Sequence, residues 1–212
     1  MRLAALRAGK RLLVPGRGRQ TFLLLDPSKI DAKEYEAAAT ADGAEKFGEP
    51  LDVAAKVQVD LFVIGSAAVN PSSGCRAGSL SGVEDLHYEI LRQTGAIDER
   101  TPVATVASGH QVVEDFEPEL CHVPVDIVCT PQRLVRVLQP RSKPSGVAWD
   151  RVSERKLRTV PGPRQLRAAS EEQAAVEAAR RRGRGPREEA AQPPEEATQR
   201  RARRSAPREA RR

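Results

Sequence analysis

Four short apolar runs punctuate the first 130 residues, at 11–14, 59–64, 103–107 and 125–130. Each is rich in β-branched residues or Leu, bounded by Pro, Gly or Asp, and near-continuous rather than alternating. That pattern predicts strands covered on both faces of a mostly parallel sheet. Between the second and third runs, Val83, Leu86, Ile90 and Leu91 recur at helical spacing, and Gly95 follows at the stop position. A helix over 84–94 is expected there. A weaker helix is expected over 32–40, behind Pro27 and Asp31, and a last helical turn over 3–8 ended by Gly9. Ser153 reads as an N-cap for a short helix over 154–157. The alternation of strands and helices predicts an α/β fold, with no internal repeat.

Apolar patterning stops near residue 167. The segment 168–212 has no aromatic residue, no Leu, no Ile and one Val, but 12 Arg and 8 Glu. It cannot bury enough apolar surface to offset its chain entropy. Two parts are therefore expected: a folded domain over 1–167 and a disordered Arg/Glu/Ala-rich tail over 168–212. Glu177 and Arg181 could pair on a lone helix over 170–182, which would have no apolar face to dock. The tail carries +4 of the chain's net +6, so the high isoelectric point belongs mostly to it, and a wholly basic nucleic-acid-coating protein is excluded. Its two basic clusters, 180–184 and 200–204, make RNA or an acidic protein a candidate partner. The interspersed Glu and the lack of stacking aromatics favour a plain solvated tail.

No run approaches the roughly 18 apolar residues of a membrane span. The first 25 residues are Arg-rich and free of acids, but contain no apolar segment with a cleavage site. Three cysteines (Cys75, Cys121, Cys129) with no C-x-x-C pair argue against a disulfide framework and fit a reducing compartment. A cytoplasmic location is expected, with a plastid as the alternative for a longer precursor. His87, His110 and His122 show no metal-ligand spacing.

The chemistry-bearing stretch follows the second run. Gly65 to Gly82 is rich in Gly and Ser and leads into the 84–94 helix. A loop between strand and helix brings free N–H groups and the positive helix end together, which suits phosphate. Arg76 would add a fixed positive charge, and Asp85 in the first turn could hold Mg²⁺. The same residues also fit an ordinary loop, with Glu84 and Asp85 complementing the helix dipole. Arg17 and Arg19 flank Gly18 after the first run and could clamp an anion, provided that strand lies parallel to the second. Ser108 and His110 after the third run are too close for a nucleophile–base pair, and no G-x-S-x-G elbow surrounds them.

Taken together, VDLFVIGSAAVNPSSGCRAG, GVEDLHYEILRQTGAIDERTPVATV and VPVDIVCTPQRLV resemble the 5-formyltetrahydrofolate cyclo-ligase (methenyltetrahydrofolate synthetase) family, in its divergent archaeal and plant-type branch. KPSGVAWDRVSERKLRTVPGPRQLR matches the same branch, so the resemblance runs from about residue 8 to 167. It implies a three-layer α/β/α fold. It also implies a ligase using ATP and Mg²⁺ to phosphorylate the formyl oxygen of 5-formyltetrahydrofolate, after which N10 closes the ring to 5,10-methenyltetrahydrofolate. Carried over residue by residue, Arg76 and Asp85 are implied as catalytic residues, with Asp85 also on the metal. Gly78 and Gly82 are implied in the phosphate loop, with Arg17 and Arg19 as binding arginines. Thr130 and Pro131 match the Thr-Pro after the last strand.

The chain departs from the branch at telling places. The loop Lys is Ser79, the next Gly is Leu80, the aromatic is Val83, and the His-Asp after the third strand is Ser108-Gly109. With the first predicted strand at 11–14, the family's N-terminal helical region is expected to be missing from this sequence. Loss of the Lys removes a phosphate-pairing charge, Leu80 restricts the backbone, and Val83 cannot stack on a pteridine. The expectation is an impaired cyclo-ligase, or a non-catalytic relative that binds a nucleotide, a folate or a protein.

Overall fold

The computed structural model describes residues 1–17, 22–51, 57–79, 82–116, 122–149, 152, 167–168 and 171–172. The chain divides into two units, Met1–Arg167 and Ala168–Arg212. In the second, Ala168, Glu171 and Glu172 are described, each helical and exposed. The expected helix after Ser153, and nearly all of the tail, lie outside the described residues.

The first unit opens with helix α1 (Arg2–Arg7), then strands β1 (Leu12–Pro15) and β2 (Phe22–Leu25). Short helices α2 (Tyr35–Ala38) and α3 (Ala41–Phe47) precede β3 (Glu49–Leu51). The three strands form an antiparallel sheet in the order β1-β2-β3. The first predicted strand thus pairs with a strand the sequence did not reveal, and lies in a different sheet from the second predicted one, Phe62–Ile64. The link from β1 to β2 is far shorter than the dozen or more residues a parallel crossover needs, so the chain makes a hairpin. β2 divides two cores. Leu23 and Leu25 pack with Leu6, Val14, Ile30, Ala38 and Ala44, whereas Phe22 joins the main core. Successive side chains of a strand point to opposite faces, so a strand buried on both sides reads as an unbroken apolar run.

The main core belongs to the second sheet. Its strands are β4 (Phe62–Ile64), β7 (Val103–Val106), β8 (Ile127–Cys129) and β9 (Leu134–Arg136), in that order. β4, β7 and β8 are parallel, and β9 is an antiparallel edge. Between β4 and β7 come a small hairpin, β5 (Ala68–Val69) with β6 (Arg76–Ala77), and helix α4 (Val83–Gln93). The central sheet is mostly parallel, as the apolar runs predicted. α4 buries Leu86, Tyr88, Ile90 and Leu91 against Ile64, Val103 and Val128. Tyr88 meets Phe62 edge-on at 5.3 Å between centroids.

Burial on both faces is not complete. Register places Val63, Val106 and Leu134 on the face opposite Ile64, Thr105 and Val128, and these three are 42, 52 and 63% exposed. The expected helix over 32–40 is a 3-10 turn, Ala32–Glu34, followed by α2. It stops because Thr40 takes extended backbone and caps α3 through its hydroxyl, which accepts from Gly43 N–H at 2.9 Å.

Lys143, in the Lys-Pro-x-Gly-x-x-Trp segment, ties that segment to the residues just before β7 and β8. Its ammonium lies 2.7 Å from Asp126 and donates to the carbonyls of Glu99 and Thr101. Asp126 in turn accepts from Val103 N–H at 2.7 Å and so fixes the start of β7. The cysteine count argued against a disulfide framework, yet Cys75 is fully buried and disulfide-bonded, with its partner outside the described residues. Spatial approach, not sequence spacing, decides such pairing. Cys129 is free.

Candidate functional site

The carboxyl ends of parallel strands are where an open α/β sheet presents its loops to a ligand. Here the ends of β4 and β7 are tied together by polar side chains. Ser66 and Thr105 share a buried hydroxyl–hydroxyl hydrogen bond of 2.7 Å. Gln111 donates to Ser66 O at 2.6 Å, and its Oε1 accepts from Ser108 N–H at 2.8 Å. The Ser108–Gln111 stretch is thus a capped turn.

β6 carries Arg76 into the interior, where it is fully buried. Its guanidinium donates from Nε to Val123 O at 2.7 Å, from Nη1 to Gly65 O at 2.8 Å, and from Nη2 to Asp85 Oδ1. Burial lowers the Arg76 pKa from its ordinary value, while Asp85 and Glu84 pull it back up. A guanidinium remains charged through such a shift. Asp85, in the first turn of α4, also accepts from Val123 N–H at 2.9 Å, and its Oδ2 lies 2.7 Å from His122 Nδ1. The pair therefore joins the end of β4, the start of α4 and the 122–123 segment in one pin.

Gly78 sits on that pin. A Cβ there would lie 2.8 Å from Arg76 Nη1, 2.9 Å from Asp85 Oδ2 and 3.1 Å from His122 Nδ1. No side chain fits without separating the three. Gly82 caps α4 with φ 58°, a left-handed conformation that costs any L-residue with a Cβ. Ser79 bonds through its hydroxyl to Glu84. Leu80 and Ser81 lie outside the described residues.

Of the residues singled out by sequence, Arg76, Asp85 and Gly78 are brought into contact, and Gly82 begins the same helix. Arg17 is placed differently. Its side chain, 66% exposed, pairs with Asp42 at 2.6 Å, and its N–H donates to Glu45, both on α3. Arg19 lies outside the described residues. The metal assignment at Asp85 does not fit. Oδ1 has both acceptor positions taken by Arg76 and Val123 N–H, a guanidinium stands against it, and His122 holds Oδ2. Among the described residues no group of three or more His, Cys, Asp or Glu side chains could hold a metal ion. His122 was not foreseen. It stands 37 residues from Asp85, and no local pattern signals a pairing at that distance.

These features define a class: an α/β domain with a mostly parallel central sheet, whose glycine-bearing loop and helix start are pinned at the strand ends. The chain belongs to the 5-formyltetrahydrofolate cyclo-ligase family, whose model matches residues 1–131. It is 33% identical over 178 residues to the human methenyltetrahydrofolate synthase domain-containing protein, covering 81% of this chain and 46% of the human one. The bovine protein of the same name is 35% identical over 187 residues, with 86 and 49% coverage. The zebrafish (Danio rerio) one is 34% identical over 178 residues, with 81 and 46% coverage. The chain spans about half the length of these relatives. No helix among the described residues is long and apolar enough to cross a membrane.

Proposed function

We propose that the domain binds ATP and 5-formyltetrahydrofolate at the carboxyl ends of β4, β7 and β8 and closes the folate to 5,10-methenyltetrahydrofolate, at a rate held down by Ser79 and Val83. One observation carries this reading. The Arg76–Asp85 pin and the absent side chain of Gly78 hold the start of the loop against the strand ends. Positioning is most of what a protein supplies to phosphoryl transfer.

In this reading ATP is the phosphoryl donor that makes the formyl oxygen a leaving group. Arg76 and Asp85 do not touch it. They fix the loop and the first turn of α4, so that an incoming anion would meet the positive end of the helix dipole. No step is assigned to Mg²⁺, since Asp85 is committed to Arg76, Val123 N–H and His122. Ser79 and Val83 stand where the resemblance places a cation and an aromatic, so charge pairing and stacking are both weakened here.

Thermal-shift titration of the full chain with ATP, with 5-formyltetrahydrofolate and with both tests the proposal. Each ligand should raise the melting temperature, and the two together more than either alone. No shift with either, from a protein that melts cooperatively, contradicts it. A second reading, ligand binding without turnover, is favoured by the Ser79 hydroxyl lying on Glu84 where the loop would carry an ammonium. Saturable binding with no product, unchanged by Ser79→Lys and Val83→Tyr, selects that reading.

A further inference from the structure

His122 has two ring nitrogens with different surroundings. Nδ1 lies 2.7 Å from Asp85 Oδ2 and 3.1 Å from where a Gly78 Cβ would be. Asp85 is already paired with Arg76 and stays a pure acceptor in that geometry, so Nδ1 carries the proton. The His122 side chain is 31% exposed, and Nε2 makes no hydrogen bond among the described residues. The backbone on either side is fixed, because His122 N–H donates to Arg76 O and Val123 N–H to Asp85. A donor that only had to satisfy Asp85 could be any amide or hydroxyl. An imidazole adds an unprotonated nitrogen, held rigidly beside the first glycine of the loop.

From this geometry we propose that His122 is a catalytic proton acceptor and Asp85 its positioning residue. The inference rests on the cyclo-ligase reading and deepens it. In the ring-closing step the folate N10 bonds to the formyl carbon, and the carbon–oxygen bond to the phosphorylated oxygen breaks, releasing phosphate. The N10 proton passes to His122 Nε2. The resulting imidazolium keeps Nδ1–H on Asp85, whose charge stabilises it. The proton then leaves to water. Asp85 does here what an orienting carboxylate does for any histidine base: it selects the tautomer and fixes the ring.

The test uses the full chain labelled with ¹⁵N in its three histidines, His122 being assigned by its loss in His122→Asn. The free protein should show His122 protonated at Nδ1 and bare at Nε2. ATP with Mg²⁺ plus 5-formyltetrahydrofolate should move the His122 Nε2 signal more than those of His87 and His110. Asn at 122 can still donate to Asp85 but has no group at the Nε2 position. His122→Asn should therefore melt close to the parent while product formation falls about 100-fold in kcat with KM little changed, the usual size of a lost general base. A His122 protonated at Nε2 overturns the proposal. So does a ligand pair that raises the melting temperature yet leaves Nε2 unmoved, or a His122→Asn variant at parental rate. If neither ligand raises the melting temperature and no product forms, the cyclo-ligase reading itself has failed and this inference falls with it. The thermal shift separates that case from the others.

Discussion

Replacing Arg76 by Met keeps the length of the stem and removes the guanidinium. Three acceptors then lose a guanidinium hydrogen bond inside the protein: Gly65 O, Val123 O and Asp85 Oδ1, the last keeping only Val123 N–H. Asp85 is left as a carboxylate with 12% of its side chain exposed and no cation beside it. Breaking a buried ion pair by removing one partner costs about 3–5 kcal/mol. That is a large part of the roughly 5–15 kcal/mol that holds a domain together. At roughly 2–4 °C per kcal/mol for a domain of this size, the melting temperature should fall by about 6–20 °C. Differential scanning calorimetry or denaturant melts at neutral pH measure it. Asp85→Asn on the Arg76→Met background removes the stranded charge, so the double variant should be more stable than the sum of the two single losses predicts. An Arg76→Met protein melting within about 2 °C of the parent, or a double variant showing simple additivity, would refute the reasoning that Arg76 is a structural pin.

Gly78→Ala drives a methyl group between Arg76, Asp85 and His122, and should destabilise by about 1–3 kcal/mol, as overpacking does, read by urea midpoint. Burial lowers the His87 pKa, so the folded chain binds that proton less readily than the unfolded one. Its contribution is full above the unfolded value of about 6.5 and is lost as pH falls below it, by up to about 1.4 kcal/mol per pH unit. A His87→Gln variant should lose that part of the acid slope between pH 7 and 5, and an unchanged slope counts against the assignment. Lys143→Met leaves Asp126 without its buried ammonium and should cost about 3–5 kcal/mol in a thermal melt, whereas loss of the exposed Arg7–Glu36 pair by Arg7→Ala should cost under about 1 kcal/mol.

The elements legible in the sequence are those whose burial has a simple period. β4, β7 and β8 are continuous apolar runs, and α4 carries a stripe ended by Gly95, so their positions were set to within a few residues. β2 was missed although Phe22–Leu25 is wholly apolar. Phe22 serves one core and Leu23 and Leu25 the other, and nothing local distinguishes that from a helix fragment. α3 was missed because it contains Gly43 and buries little beyond Ala44. Gly43 is needed where α3 crosses the end of α2, since a Cβ would lie 1.8 Å from Ala37 O. β9 is an edge strand with Leu134 and Arg136 exposed, and it has no apolar run to announce it. In the site, the glycines and the Arg76 and Asp85 positions were legible through family resemblance. Their inward orientation was not, because charge alone does not say whether an Arg faces a ligand or a carboxylate. Arg17 illustrates the converse: the acids it pairs with lie on α3, the helix the sequence did not reveal.

The most direct measurement is the initial rate of 5,10-methenyltetrahydrofolate formation from 5-formyltetrahydrofolate and ATP by the full chain, compared with Ser79→Lys and with Ser79→Lys/Val83→Tyr. The account predicts a slow, ATP-dependent rate in the parent that rises at least tenfold when the loop charge and the aromatic are restored. No ATP-dependent product from any of the three, with all three folded, would contradict it.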